Sequence, residues 1–332
     1  MGRETCKLTM VKAINLALHQ EMERDDDVIV LGEDVGVDEG VFRVTEGLLK
    51  KFGEQRVIDT PLAEGAIVGM AIGMAIYGLK PIPEMQFSGF AFQAFHQVEN
   101  HAARYRARTR GRYHIQMVLR MPYGGGVHGA LYHSQSNEGY FTATVGLKVV
   151  APGTPADAYG LLKSAVRDPD PVLFFEHKKT YRLFKADVPD DGDGLVPIGP
   201  AAVARPGSDL SIFCYGYMRY CALEAAETLA REGVEAEVVD LRTLRPLDTG
   251  TVLASVERTG RALVVHEANQ FGGFGGEVAA IIAEQGFEHL DAPVTRLAGP
   301  EVPAVPYHHD LEEWFMVNPE RIVKAARTLA AY

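Results

Sequence analysis

Residues 56–78 read RVIDTPLAEGAIVGMAIGMAIYG. The first five, 56–60, form a short apolar run that fits a strand, and Pro61 cannot extend it. From Glu64 to Gly78 the residues are almost all Ala, Ile, Val, Met and Gly. Their spacing fits a buried helix, with Gly65, Gly69 and Gly73 stepping along one face, where a second backbone or another subunit can approach closely. One carboxylate, Glu64, stands at the mouth of this apolar helix. A strand leading into a helix through a few residues is the repeating unit of an α/β sheet.

The same unit recurs along the chain. Residues 28–32, 82–87, 114–121, 147–151 and 172–176 are short apolar runs without strict alternation, as expected for strands covered on both faces. Helical patterns occupy 9–24, 90–106 and 155–168. Thr9 and Thr154 stand at N-cap positions, the latter followed by Pro155. Residues 185–200, KADVPDDGDGLVPIGP, are rich in Asp, Gly and Pro and read as a linker. Beyond it the alternation resumes, with strands expected at 209–215, 235–241, 261–267 and 293–298 and helices at 218–232, 248–258, 276–285 and 318–330. The expected architecture is α/β: two doubly wound domains, 1–190 and 201–332, joined by a linker at 191–200.

With 332 residues, 47% of them apolar, each half can bury a core. The net charge of −11 argues against a nucleic-acid or anionic-membrane partner. No run of about 18 apolar residues is present to span a bilayer, and the first residues do not resemble a signal peptide. Cys6, Cys214 and Cys221 form no CxxC pair. These features read as a cytoplasmic protein with reduced thiols.

Taken alone, Glu64 could be an acid in a helix first turn, favoured by the helix dipole. The apolar sequence behind it argues that the helix start is buried. A carboxylate held away from water there can share a proton with a heteroatom of a ligand. DTPLAEGAIVGMAIGMA followed by EMQFSGF resembles the beta subunit of the thiamin-diphosphate-dependent 2-oxo acid dehydrogenases, the decarboxylating components of the pyruvate and branched-chain complexes. The resemblance continues through VIVLGEDVG (28–36), GVFRVTEGL (40–48), GGGVHGALYHSQSNE (124–138), GLKVVAPGTPADAYGLLKSAVRDPDPVLFFEH (146–177), EAEVVDLRTLRPLD (235–248) and TGRALVVHEA (259–268). It covers nearly the whole chain in order.

This resemblance implies a transketolase-like pyrimidine-binding domain followed by a transketolase C-terminal domain. It implies that Glu64 hydrogen-bonds a ring nitrogen of the cofactor's aminopyrimidine. That favours the imino tautomer, whose nitrogen takes the thiazolium proton to give the ylid. Leu62, Gln86 and Phe90 fall where the family surrounds the pyrimidine. Enzymes of this cofactor class hold magnesium and diphosphate through a Gly-Asp-Gly motif followed by an asparagine. Gly192-Asp193-Gly194 does not qualify: it lies in the expected linker with no expected strand before it, and no asparagine follows before Asn269. The resemblance therefore implies that an alpha subunit supplies the magnesium site, in a tetramer of two alphas and two betas. It also implies docking of the C-terminal domain to the subunit-binding domain of an acyltransferase core, for which DLEEW (310–314) offers charge.

VHGALYHSQSNE (127–138) places His128 and His133 in a glycine-rich loop. Without a CxxC pair they do not read as a zinc site. In the family the histidine of HSQ, here His133, acts in acyl transfer to lipoamide, and His128 reads as a second substrate or loop residue. The family also holds potassium in this subunit. The matching positions are Ile115, Met117 and Val118, with Ala165, Asp168 and Asp170, although RDPDPV (167–172) also suits a plain helix stop and turn. Within the family the substrate stays open between pyruvate and a branched-chain 2-oxo acid. An acetoin dehydrogenase beta subunit and a non-catalytic scaffold are the alternatives.

Overall fold

The computed structural model describes residues 5–189, 192 and 194–332. It divides into two compact units. The first contains residues up to Tyr123 and from Tyr140 to Ile198, the second Gly124–Gly139 and Gly199–Tyr332.

In the first unit, β1 (Thr5–Thr9) is followed by β2 (Val28–Gly32), β3 (Val57–Asp59), β4 (Lys80–Glu84), β5 (Val118–Tyr123), β6 (Lys148–Val150), β7 (Val172–His177) and β8 (Lys185–Pro189). Six of them form a parallel sheet in the order β6-β7-β5-β4-β2-β3. The chain leaves β2 for β3 on one side and returns to place β4 on the other. The carboxyl ends of these three strands are therefore the topological switch point of the sheet, where open α/β folds bind ligands.

Helices Met10–Arg24 and Pro155–Arg167 cover one face. Met10, Ile14, Leu18, Ala158, Leu161 and Leu162 share a core with Val28, Val30, Val118, Val172 and Phe174. The alternate strand residues Ile29, Leu31, Leu119, Leu173 and Phe175 are buried as well and face the other side. Thr154 caps its helix, its hydroxyl accepting from the Asp157 amide at 3.1 Å. Thr9 precedes its helix without a side-chain cap bond. The helical pattern over 90–106 is realised in pieces: a 3₁₀ segment Ser88–Ala94, a π segment Gln97–Ala102 and an α turn Tyr105–Arg108.

Part of the expected linker is ordered strand. β8 pairs antiparallel with β1, Cys6 opposite Val188, in a separate two-stranded ribbon. A strand thus does precede Gly192-Asp193-Gly194, contrary to the sequence reading. It is an antiparallel ribbon strand, not one of the parallel sheet, and the next element is another strand rather than a phosphate-facing helix. Asp193 itself lies outside the described residues.

The second unit contains β9 (Ala202–Arg205), β10 (Leu210–Cys214), β11 (Ala236–Asp240), β12 (Thr243–Arg245), β13 (Ala262–Asn269) and β14 (Thr295–Gly299). Its five-stranded sheet runs β14-β13-β10-β11-β9, parallel except for the edge strand β9. Helices Met218–Ala230 and Pro319–Ala330 bury Cys221, Ala222, Ala225, Ile322 and Ala326 against Leu210, Ile212 and Val238. All three cysteines are free. Among the described residues no helix is long and apolar enough to cross a membrane.

Candidate functional site

Strand register places Gly32 between Asp59 and Glu84, so the ends of β3, β2 and β4 are level. Glu33 follows β2 directly, and the Thr60 amide donates to the Gly32 carbonyl at 2.9 Å, fixing the exit of β3. Four residues later the helix Glu64–Tyr77 begins. Its inward face is Glu64, Ile67, Val68, Ala71, Ile72 and Ala75, a complete helical stripe. Of the three stepped glycines, only Gly65 touches another backbone: a Cβ there would lie 3.2 Å from the Gln93 carbonyl oxygen, whereas Gly73 faces open space.

Glu64 is 5% exposed, and its carboxylate makes no hydrogen bond or ion pair among the described residues. A largely buried side chain whose carboxylate has no partner in the chain leaves its oxygens open at the sheet edge to solvent or to a ligand. Glu33 is buried beside it. Burial, then the charges of Glu64 and Asp34, raise the Glu33 carboxyl above its ordinary range. Asp34 sits in left-handed backbone (φ 57°) and accepts a 2.7 Å hydrogen bond from Gln86 Nε2, just beyond β4. Phe90 is half-buried and meets Phe87 edge-to-face at 5.7 Å. Leu62 is exposed. This edge offers a carboxylate that can share a proton, a second carboxyl disposed to hold one, and apolar surface. That set suits a flat nitrogen heterocycle such as an aminopyrimidine. Glu33 was missed in the sequence because nothing local shows that β2 and β3 are neighbours.

His133 closes the helical turn Ala130–His133 and is half-buried. Its loop, 124–139, groups with the second unit, not with the first domain that a division at residue 190 implies. The Gly124 amide donates to the Gln135 carbonyl at 3.0 Å and closes the loop neck. Glu138, fully buried, accepts from the Tyr215 hydroxyl at 2.5 Å at the end of β10, and burial pushes its carboxyl up to about 7. His128 lies in left-handed backbone (φ 56°), with Nδ1 2.8 Å from Glu312 and its ring stacked on His309 at 5.2 Å. Glu312 is 2% exposed, so within DLEEW only Asp310, Leu311, Glu313 and Trp314 are available to a partner.

At the positions expected to hold potassium, both carboxylates are engaged in ion pairs. Both carboxylate oxygens of Asp168 accept from Lys148 Nζ, at 2.7 and 2.6 Å, and Asp170 pairs with Arg106 at 2.7 Å. The Met117 and Ala165 carbonyls accept from the amides of Val172 and Asp168. What Ile115, Met117, Val118, Ala165, Asp168 and Asp170 leave to a cation is backbone oxygen, and the carboxylates do not fit as ligands. Among the described residues no cluster of three or more His, Cys, Asp or Glu side chains could hold a metal ion.

A second buried charge cluster lies within the first sheet. The fully buried Arg120 binds Glu176 through Nε and Nη2 at 2.7 and 2.9 Å and also pairs with Glu84, while the Tyr181 hydroxyl donates to Glu176 at 2.6 Å. Every member has a partner within the cluster, which marks it as internal support for β4, β5 and β7.

Comparison with known proteins agrees with this architecture. Residues 6–183 match the transketolase pyrimidine-binding domain and 199–322 the transketolase C-terminal domain. The chain is 53% identical over 325 residues to the 2-oxoisovalerate dehydrogenase subunit beta of Bacillus subtilis, covering 98% of this chain and 99% of the relative. It is 46% identical over 326 residues to the pyruvate dehydrogenase E1 component subunit beta of the same organism, with the same coverage. A solved structure described as a split-gene transketolase, an inactive beta4 tetramer, superposes with a TM-score of 0.79 at 22% identity, covering 98% of this chain and 99% of that one. The chain therefore belongs to the transketolase-like family, among the beta subunits of the 2-oxo acid dehydrogenase decarboxylating components.

Proposed function

We propose that this chain, with an alpha subunit, forms a cytoplasmic thiamin-diphosphate enzyme that decarboxylates a branched-chain 2-oxo acid and passes the acyl group to lipoamide. The observation that carries the reading is the buried, unpartnered carboxylate of Glu64 at the switch point of a pyrimidine-binding domain. When bound, thiamin diphosphate supplies the carbon nucleophile that water and protein side chains lack. Glu64 would hold the proton at the pyrimidine ring nitrogen. Gln86, held by Asp34, and Phe90 and Leu62 would border the ring. A buried site keeps the shared proton from exchanging with bulk water.

Magnesium and diphosphate would be held by the alpha subunit, since this chain offers no motif for them. The helix Glu64–Tyr77 leaves Ala66, Met70, Gly73 and Tyr77 exposed along one apolar stripe, with Met70 41% and Tyr77 89% accessible, which suits a face covered by another subunit. An assembly of two alphas and two betas, docked through the C-terminal unit to the subunit-binding domain of an acyltransferase core, completes the proposal. The higher identity to the 2-oxoisovalerate relative favours a branched substrate.

The test is a comparison of the purified chain with the reconstituted pair. Calorimetry should show no tight binding of thiamin diphosphate and magnesium by the beta chain alone and tight binding by the pair. With the pair, kcat/KM for 3-methyl-2-oxobutanoate should exceed that for pyruvate by about tenfold or more, the usual return on extra methyl groups in an apolar pocket. The reverse preference would assign pyruvate. Tight cofactor binding by the beta chain alone would overturn the two-subunit reading.

A further inference from the structure

The loop 124–139 carries a strained backbone, closed at its neck by the Gly124–Gln135 bond. Gly124, Gly126, His128 and Ala130 all have positive φ, from 53° to 86°, and two of them carry side chains that resist this conformation. The only regular structure within it before Glu138 is the four-residue turn ending at His133. Contacts from outside the loop add to that closure.

Two buried carboxylates of the second unit are placed to do so. Glu267, near the end of β13, accepts from the Gly125 amide at 2.6 Å and from Ser136 Oγ at 2.9 Å, joining the two stems of the loop. Glu312, on the helix His309–Phe315, accepts from the Gly126 amide at 2.8 Å and from the His128 amide at 3.1 Å, and it also meets His128 Nδ1. The exposures of Glu267 and Glu312 are 4% and 2%. Carboxylates so deeply buried are stable only while their donors stay in place, so the loop and the carboxylates fix one another. The stem also rests on apolar surface: a Cβ at Gly125 would lie 2.9 Å from Met316 Sδ and 3.5 Å from Val305, both members of a small buried cluster with Phe315.

We infer that Glu312 and Glu267 are positioning residues that clamp the histidine loop and set the place of His133. The inference rests on the reading of His133 as the acyl-transfer histidine, and its test separates the two. The clamp acts on the loop backbone and has no part in the chemistry at Glu64. Loosening it should therefore impair transfer to lipoamide and spare decarboxylation.

The experiment uses the assembled alpha–beta enzyme with its acyltransferase core, carrying Glu312→Gln or the milder Ser136→Ala, which removes one bond to Glu267 and should not threaten folding. Hydrogen exchange of peptides covering 124–139 should accelerate by about tenfold in Glu312→Gln, and by less in Ser136→Ala, while the helix Glu64–Tyr77 keeps its protection. The apparent KM for the lipoyl domain should rise, with decarboxylation to an artificial electron acceptor within about twofold of wild type. Unchanged loop exchange in both variants would overturn the clamp. Accelerated exchange with normal acyl transfer would overturn its positioning role. Should His133→Ala itself leave transfer intact, the reading of His133 fails, and the exchange measurement still decides whether the carboxylates hold the loop.

Discussion

Glu64→Gln in the assembled enzyme should slow exchange of the cofactor's thiazolium C–H by about 10²–10⁴, the range typical of a positioned acid–base group. The glutamine keeps the shape and one hydrogen-bonding oxygen but cannot take up or release a proton. The folded chain should not suffer. Glu64 is buried without a partner, and its charge is one of the causes that raise the neighbouring Glu33. A carboxyl raised on folding contributes stability in full below its unfolded pKa and loses it as the pH rises through the folded value. With the Glu64 charge gone, the folded value of Glu33 falls and less stability is lost at pH 7. The melting temperature of Glu64→Gln at pH 7 should therefore equal or exceed that of wild type. This combination of lost chemistry and retained stability is what a ligand-facing carboxylate produces. Thiazolium exchange at the wild-type rate would reduce Glu64 to an acid at a helix end.

His133→Ala should abolish turnover of the complete complex and leave most of the decarboxylation measured with an electron acceptor that bypasses lipoamide. Opening the dithiolane disulfide requires a proton for the departing sulfur, and histidine is the side chain class best suited to deliver one near neutral pH. If both activities fall together while cofactor binding persists, His133 belongs to the first half-reaction. If neither falls, it is an ordinary loop histidine.

Much of the fold was legible in the sequence, and for a local reason. The expected strand 28–32 and helices 9–24 and 64–78 are found within a residue of the observed elements, because the alternation of short apolar runs with 3.6-residue patterns is carried by neighbouring residues. The ribbon β1–β8 was not legible. Its strands lie at opposite ends of the first unit, and β8, KADVP, has a composition that reads as linker. The segment 90–106 showed a helical period but not the 3₁₀ and π turns that realise it.

The sequence by itself determined that the chain is an α/β protein of alternating strands and helices, that a carboxylate opens an apolar helix at Glu64, and that two histidines sit in a glycine-rich loop. Tertiary structure alone decided that β2 lies between β3 and β4, which brings Glu33 to the same edge as Glu64 and Gln86. It alone decided that loop 124–139 is held by Glu267 and Glu312, although Glu312 lies in a stretch whose charges read as available for docking. The physical reason is one of range. Periodicity and capping act over a few residues and are written locally, whereas strand order joins segments that lie far outside that range, and Glu267 and Glu312 are satisfied by groups that meet only after the chain has closed loops of more than a hundred residues.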